Sequence, residues 1–409
     1  MAVFAGQETR ETGEPSLKPL RILAVVNLNW DVRLGAVRVW MELAEQWRAA
    51  GHTVEKFSLS DAYPRENASP PLAALQQILF AYKAAAFIRK RARDFDVIDA
   101  LIGTLPFAKS RLGFAGLLVA RSVGLYLLYE RFLRSTAHLT RREGKLIGRI
   151  YYPLLRRRVL RDSDRAVRRA DLVNVVNGEE ATCLREEFGP HQQIAVLPYG
   201  LTRERCEALA RAAATPEVRL AAQRISFIGL WGVRKGSRDW PRIIELIRAE
   251  VPGARFRFLG TMVDDEVIRA ALGPSASKEV ELVSNYQPDE LPGLLADCTA
   301  GAFPSYVEGF GLAVIEQLAA GLPTVAYDTP GPRDILESCP QMLIPSGHVE
   351  QFAASIVRVL RLTVAEYRAI SEESTRVAAG FSWEKIASDT IDVYRQHLHR
   401  AGLGQQEHR

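Results

Sequence analysis

The chain has 409 residues, a length that accommodates two domains of ordinary size with separate cores. Its hydrophobic fraction of 47% and charged fraction of 25% are typical of a soluble globular protein, and its formal net charge is +5. The cysteines form no CxxC pair, which argues against a disulfide framework or a zinc site and favours structural thiols in a reducing compartment; they are Cys183, Cys206, Cys298 and Cys339.

The amino-terminal segment 1–19 is polar and lacks the apolar core of a signal peptide, so we predict a disordered tail. The longest apolar run, from Leu112 to Tyr129, is interrupted by Arg121 and Gly124 and is too short to span a bilayer. We interpret this run as a helix over 113–123 that leads into a strand over 125–129.

The elements after the tail alternate between strands and helices. The apolar run Arg21–Asn27 predicts a strand, Gly35 opens a helix, and Gly51 ends it before a strand over 52–59. The pattern continues with helices at 72–93 and 179–188 and strands at 97–101, 172–176 and 194–197. Such strand-loop-helix-strand units are typical of a doubly wound α/β domain.

A second alternating series begins after Pro198-Tyr199-Gly200 and the polar, alanine-rich segment 202–213. Its predicted strands lie at 225–229, 255–259, 280–283, 301–303 and 324–327, with helices between them. We therefore predict an α/β fold of two Rossmann-like doubly wound domains that face a central cleft. The N-terminal domain covers 20–201 and is completed by a C-terminal helix over 382–400, and the C-terminal domain covers 202–381.

The segment from Phe303 to Pro332 is the most informative part of the sequence. A strand ends at Phe303, a turn carries Glu308, and Gly309-Phe310-Gly311 precedes a helix that bears Glu316. Two glycines before a helix let backbone N–H groups approach an anion at the positive end of that helix. Two carboxylates near that end are poorly placed for phosphate alone. They suit a ligand with both phosphate and hydroxyl groups, such as a nucleotide sugar.

Glutamates eight residues apart are common by chance, and Gly-Phe-Gly alone is a tight turn. The whole string is more specific, and it consists of Pro304-Ser305, Glu308, Gly309 to Leu312, Glu316, Ala320 to Pro323 and Pro330-Gly331. It resembles the signature of the GT4-type glycosyltransferases of the GT-B fold (glycosyl transferases group 1), which transfer a sugar with retention at the anomeric carbon. The likeness covers most of the chain and is sharp from about 225 to 335.

The resemblance implies a role for each residue of the string. Glu316 would accept hydrogen bonds from the nucleotide ribose, and Glu308 would contact hydroxyls of the donor sugar. The backbone of the glycine turn, with Ser305 and Gly229 nearby, would complete the donor site; the turn residues are Gly309, Phe310, Gly311 and Leu312. The start of the helix would favour the charge of the diphosphate.

The segment Phe227 to Gly236 follows the first strand of the second domain. Lys235 resembles the phosphate-binding lysine of the family, and a mobile cation suits a leaving diphosphate. Leu230 stands where the family usually has an arginine, so Arg234 is the candidate for the missing cation. The alternative is that Arg234 and Lys235 form an exposed, solvated turn.

The loop 27–36 after the first strand corresponds to the acceptor loop of the family. Gly35 could let the acceptor approach the backbone, although the usual double glycine is absent, and a helix start packed close to the sheet is the alternative. Asp31 and Arg33 are candidate acceptor contacts.

Many relatives carry a histidine in the first domain that faces the reaction centre, but the matching region 96–101 has none. Asp99 is a candidate polar substitute, His52 is interpreted as structural, and His138 has no assigned place. We therefore assign no general base, because the departing phosphate oxygen could take the proton of the acceptor on the same face.

The stretch 131–169 is rich in arginine, and its only acidic residues are Glu143, Asp162 and Asp164. One interpretation is a solvated helix face packed on the first domain. A second is a patch that binds an anionic membrane surface, where a lipid-linked acceptor would lie. A nucleic-acid interface is the third interpretation, but no binding motif accompanies the charge, so we predict no nucleic-acid partner.

Together these observations predict a glycosyltransferase whose partners are a nucleotide sugar and a glycan or lipid-linked acceptor. The resemblance implies no catalytic metal, and we expect no cofactor. The cysteines favour a cytoplasmic location, and the membrane interpretation of 131–169 would add peripheral attachment to the inner face of the membrane. A dinucleotide-dependent dehydrogenase would need a Gly-x-Gly-x-x-Gly turn, which is missing after the first strand. A sugar-nucleotide epimerase or hydrolase of the same fold remains open, as does an inactive scaffold, which Leu230 and the missing histidine favour.

Overall fold

The computed structural model describes residues 18–31, 35–64, 70–135, 146–190 and 192–406. Within these ranges the chain forms two sheets, each of six parallel strands, with helices between successive strands. The strands are nearly continuous apolar runs, because helices cover a parallel sheet on both faces and bury both sets of side chains. The predicted fold class, α/β with two doubly wound units, is confirmed.

The first sheet has the strand order β2-β1-β3-β4-β5-β6. Its strands are β1 (Arg21–Val26), β2 (Thr53–Ser58), β3 (Val97–Leu101), β4 (Leu117–Arg121), β5 (Leu172–Val175) and β6 (Ile194–Val196). The helices that alternate with them are α1 (Gly35–Ala49), α2 (Leu59–Ala62), α3 (Pro70–Arg91), α4 (Lys109–Leu112), α5 (Tyr126–Ser135), α6 (Leu146–Arg169) and α7 (Gly178–Phe188).

The interpretation of the run from Leu112 to Tyr129 is wrong. The segment predicted as a helix holds the strand β4, and the segment predicted as a strand begins the helix α5. Arg121 is the reason, because this residue lies inside the strand and is buried against Asp99, with 2.7 Å between Nη2 and Oδ2. An arginine paired across the sheet allows a strand where the sequence indicates an interruption.

The second sheet has the order β12-β11-β10-β7-β8-β9. Its strands are β7 (Arg224–Ile228), β8 (Arg255–Leu259), β9 (Val280–Val283), β10 (Ala300–Phe303), β11 (Thr324–Tyr327) and β12 (Leu343–Ile344). The accompanying helices are α8 (Arg203–Ala212), α9 (Pro216–Ala222), α10 (Trp240–Glu250), α11 (Asp265–Ala276), α12 (Leu291–Leu295), α13 (Leu312–Ala319), α14 (Pro330–Ile335), α15 (Val349–Leu360) and α16 (Val364–Ala379).

Helix α8 packs on α12 and α13, so the segment after residue 202 lies with the second sheet. The last helix, α17 (Trp383–Gln406), packs on α1 and β4 of the first sheet. There the indole N–H of Trp47 donates to the carbonyl of Ala387 at 3.1 Å, and the hydroxyl of Tyr394 donates to Asp99 at 2.6 Å. The domain boundaries themselves stay a prediction.

Each sheet has one point where the strand order reverses along the chain, between β1 and β3 in the first sheet and between β7 and β10 in the second. The carboxyl ends of the strands diverge at such a switch point and leave a crevice, which is where doubly wound sheets bind ligands. The segments after β7 and β10 therefore meet at one crevice, and these are the segments that carry the predicted donor residues.

Candidate active site

The loop after β7 lies directly against the segment after β10. Gly236 has a φ of 78°, and a Cβ atom there would lie 2.4 Å from the carbonyl oxygen of Pro304. The amide of Tyr306 donates to the carbonyl of Arg234 at 2.8 Å. Glycine is required at this position because any side chain would push the two segments apart.

This contact brings two cations to one carboxylate. The Nζ atom of Lys235 donates to Oε2 of Glu308, and Nη1 of Arg234 lies 3.5 Å from Oε1 of the same carboxylate. The hydroxyl of Ser305 donates to Oε2 at 3.2 Å. Burial by itself raises the pKa of Glu308, but the charges of Lys235 and Arg234 outweigh this effect and hold that pKa below its ordinary value. Glu308 is therefore an ionised acceptor beside two cations.

The glycine turn before α13 contacts the first domain. Gly309 is packed so closely that a Cβ atom there would lie 2.8 Å from Cα of Gly124, and its carbonyl accepts a hydrogen bond of 2.6 Å from Nδ2 of Asn177. Gly311, with a φ of 97°, precedes the first residue of α13, Leu312. The ring of Phe310 turns away into the core, where its centre lies 5.7 Å from that of Tyr199.

The loop of the first domain that meets this turn, residues 122–125, is held by Glu180. The amide of Leu125 donates to Oε1 of Glu180 at 2.8 Å, and the hydroxyl of Tyr199 donates to the carbonyl of Ser122 at 2.6 Å. Within the described ranges, Oε2 of Glu180 has no hydrogen-bond partner. Burial raises the pKa of Glu180 to about 7, against the lowering effect of its hydrogen bonds.

Glu316 lies in the second turn of α13 and is also buried. Its Oε1 atom is 3.5 Å from Nη1 of Arg38 on α1 and 3.3 Å from Nη2 of Arg205 on α8. The ring of Tyr286 lies next to Gly260, which follows β8, and the charge of Glu316 adds to the burial that raises the pKa of that tyrosine. A carboxylate has more acceptor sites than two guanidinium groups use, so Glu316 can still accept from hydroxyl groups.

Sequence reasoning missed Arg38, Arg205 and Tyr129. The guanidinium carbon of Arg234 lies 5.4 Å from the centre of the Tyr129 ring, which α5 of the first domain contributes. Burial raises the pKa of Tyr129 to about 12, and the charge of Glu308 adds to the effect, so the hydroxyl stays neutral. No spacing in the sequence links these residues to the glycine turn, because each comes from a distant segment.

The structure places the remaining predicted residues as follows. Gly229, with a φ of 153°, directly follows β7 beside the side chain of Lys235, and Leu230 after it is 51% exposed. Gly35 is the first residue of α1, and Asp31 lies in the loop before it. Arg33 and His138 lie outside the described residues.

The first-domain candidate for the missing histidine, Asp99, lies inside the first sheet. Asp99 is fully buried in β3, where Arg121 and the hydroxyl of Tyr394 occupy its carboxylate. Because the side chain is fully buried, its carboxylate is closed to an acceptor in this structure. His52 accepts a hydrogen bond of 2.9 Å from the amide of Leu20, which agrees with its structural interpretation.

Two family models match the chain in succession. The model described as Glycosyltransferase Family 4 matches residues 34–205, and the one described as Glycosyl transferases group 1 matches residues 222–361. The chain belongs to this glycosyltransferase family. The second match contains Lys235, the glycine turn and Glu316.

Among the relatives of this chain is D-inositol 3-phosphate glycosyltransferase from Nocardia farcinica, 29% identical over 252 residues. That match covers 58% of the chain and 56% of the relative, so the chain spans about half the length of that protein. Solved structures share the fold over nearly the whole chain. Sucrose-phosphate synthase from Thermosynechococcus elongatus has a TM-score of 0.70 at 18% identity, covering 92% of this chain and 98% of that one. HepE from Anabaena, in complex with UDP and glucose, has a TM-score of 0.64 at 15% identity, covering 92% and 100%. These likenesses confirm the predicted GT-B fold.

Proposed function

We propose that the chain is a retaining glycosyltransferase that moves a sugar from a nucleoside-diphosphate sugar to an acceptor hydroxyl and needs no catalytic metal. The observation that carries the proposal is the meeting of Lys235, Arg234 and Glu308 at the switch point of the second sheet, beside the glycine turn of α13. Cations, unpaired backbone N–H groups and buried carboxylates are the groups that a diphosphate linked to two sugars requires.

Each side chain then has a defined task in binding the donor. Lys235 and Arg234 bind the diphosphate, so Glu308 exchanges its contacts with them for hydroxyls of the sugar. Glu316, which Arg38 and Arg205 hold in position, accepts from the ribose hydroxyls. The cations are in place before the reaction, which means that little reorganisation is needed as charge develops on the leaving group.

In the proposed reaction the acceptor oxygen forms a bond to the anomeric carbon on the face from which the nucleoside diphosphate leaves. The bond between that carbon and the diphosphate oxygen breaks, and its electron pair stays with the diphosphate. The acceptor proton passes to this departing oxygen, so the products are a glycoside and a nucleoside diphosphate. Lys235 and Arg234 stabilise the negative charge, which lowers the barrier without a general base from the protein.

The acceptor is proposed to bind on the first domain and to be a glycan or a lipid-linked sugar. The arginine-rich stretch 131–169 supports an anionic surface as its setting, and a peripheral position on the inner face of the membrane goes with that proposal. The co-crystallised UDP and glucose of HepE support a uridine nucleotide as the first donor to test.

The first experiment measures the thermal unfolding of the chain with UDP, GDP, ADP and dTDP and with their sugars, with and without a chelator. A nucleotide at about 100 times its dissociation constant should stabilise the fold by about 2.7 kcal/mol through mass action. The wild-type chain should respond to one base and should do so equally in the chelator. No response to any nucleotide would leave the proposal without a donor and would favour an inactive scaffold.

The donor that binds is then incubated with and without acceptor, and the products are separated. Transfer predicts a glycoside that retains the anomeric configuration of the donor and appears only with acceptor. Free sugar in equal amounts under both conditions would indicate a hydrolase, and an isomeric sugar nucleotide would indicate an epimerase.

A further inference from the structure

The first sheet has a crevice of its own at the switch point between β1 and β3. Its lining includes Asn27 after β1, Thr104 after β3, Gln77 of α3 and Arg158 of α6. A crevice at the carboxyl ends of these strands is where a doubly wound sheet takes its ligand. The donor residues belong to the second domain, which leaves this crevice for the acceptor.

The crevice contains a polar group that lacks a partner. Thr104 is 1% exposed, and within the described ranges its hydroxyl has no hydrogen-bond partner. Its neighbour Gly103 is packed so tightly on α6 that a Cβ atom would lie 2.9 Å from Oγ of Ser163, which fixes the position of the loop. A buried hydroxyl without a partner is costly, and a hydroxyl-bearing ligand in the crevice would remove that cost.

The outer face of α3, next to this crevice, is apolar and exposed. Its large side chains are exposed by 42% to 55%, and they are Leu72, Leu75, Leu79 and Tyr82. They follow helical spacing and therefore share one face of α3. The helix contains no acidic residue, and the same face ends with the exposed Arg89 and Lys90. A soluble surface rarely keeps such a contiguous apolar stripe without something to cover it.

The neighbouring helix α6 supplies positive charge. Arg158 connects the two helices, because its Nη2 atom is 3.5 Å from the carbonyl of Ile78 on α3. Arg157, Arg161 and Arg165 are exposed at intervals of one helical turn, so they also share one face. Asp162 lies within 4 Å of both Arg161 and Arg165, but one carboxylate does not neutralise the set.

We propose that the face formed by α3 and α6, here called the docking face, seats the chain on an anionic lipid bilayer. The leucines and Tyr82 enter the interface while the arginines contact anionic head groups. The crevice beside them then opens at the membrane surface, where the hydroxyl of a lipid-linked acceptor enters it. This inference rests on the proposed function and deepens it by choosing a lipid acceptor.

Charge favours a bilayer over a second copy of the chain as the occupant. Two docking faces placed against each other would bring the arginines of both copies together and would offer few carboxylates in return. No helix within the described ranges is long and apolar enough to cross a membrane.

The test is co-sedimentation of the full chain with vesicles of phosphatidylcholine, with and without about one third phosphatidylglycerol. The variants are Leu75→Ser with Leu79→Ser, and Arg157→Ser with Arg161→Ser. The matched controls change exposed residues of the second domain, namely Val267→Ser and Arg368→Ser. Each variant is also tested for stabilisation by the nucleotide that the wild type binds.

We expect the anionic vesicles to bind the wild type and both controls, and each docking-face variant to bind at least tenfold more weakly. Raising the salt from about 0.05 M to about 0.5 M should weaken the binding of the wild type, since the charges are then screened. Two results would overturn the docking face and leave the proposed function standing: equal vesicle binding by all variants, or no vesicle binding by a wild type that still binds the nucleotide. Vesicle binding by a chain that binds no nucleotide would overturn the proposed function and leave the docking face standing. Dimerisation lost in the leucine variant, without vesicle binding, would identify a second copy as the occupant.

Discussion

Replacing Glu180 by glutamine tests how the loop that meets the glycine turn is held. Glu180 is fully buried, and its pKa is raised from 4.5 to about 7. The folded chain therefore binds more protons than the unfolded chain between these two pH values. The stabilising contribution of this group is complete below about pH 4.5 and is lost as the pH rises through about 7.

The size of the effect on the free energy of unfolding follows from the shift in the pKa of Glu180. The two pKa values differ by about 2.5, and at about 1.4 kcal/mol for each pH unit the charged carboxylate destabilises the fold by about 3 kcal/mol. Glutamine removes this charge and can still accept the hydrogen bond from Leu125. The stability of Glu180→Gln relative to the wild type should therefore rise with pH.

The assay is urea unfolding of both proteins at several values between about pH 5 and about pH 8, with the difference in unfolding free energy taken at each pH. Other groups that titrate cancel in this difference. We expect it to change by about 2 to 3 kcal/mol in favour of the variant over that range. Glu186→Gln, an exposed site on the same helix, is the control and should show no such trend. A difference that is constant with pH would refute the reasoning, because Glu180 would then ionise alike in both states.

Three further substitutions test the donor site. Glu308→Gln should lower kcat by ~100-fold or more, because a charged acceptor is lost beside the reacting sugar. The affinity for the nucleoside diphosphate should be no weaker, since Lys235 loses its counter-ion. Full activity of this variant would remove Glu308 from the mechanism. Glu316→Gln should weaken calorimetric nucleotide binding by about tenfold through its ribose contacts, about 1.4 kcal/mol, and unchanged affinity would contradict that role. Gly309→Ala should lower kcat/KM by about tenfold, because the new methyl group would meet Gly124 and separate the domains. Gly293→Ala, where a Cβ atom meets nothing within 4 Å, is the matched control and should retain full activity.

Much of the fold was predictable from the sequence, because buried parallel strands are short apolar runs bounded by glycine or polar residues. The predicted bounds of β3, β8, β9 and β11 agree with the structure. The error over 113–129 has a non-local cause. Arg121 is a strand residue only because Asp99, on the adjacent strand, neutralises it. Neither β12 nor α16 was predicted.

One part of the candidate site can be predicted from the sequence, and the other part depends on how the domains pack. Its glycine turn, Glu308 and Glu316 lie in one segment of thirty residues, so their pattern is visible in the sequence. Lys235 was also identified, since it follows a strand of the same sheet. The groups that surround these residues, Arg38 and Tyr129 among them, come from helices of the other domain. Only the packing of the two domains brings them to Glu316 and Arg234.

In the proposed mechanism, Lys235 and the glycine turn bind the diphosphate of an activated sugar. Calorimetry tests it most directly, by comparing the affinities of the nucleoside and its diphosphate for the wild type and for Lys235→Gln. The wild type should bind the diphosphate much more tightly than the nucleoside. In Lys235→Gln the ratio of the two affinities should fall by about tenfold or more, which corresponds to about 1.4 kcal/mol, while the affinity for the nucleoside stays the same. Unchanged nucleoside binding also shows that the variant is folded. An advantage of the diphosphate that is the same in both proteins would show that Lys235 does not bind the diphosphate.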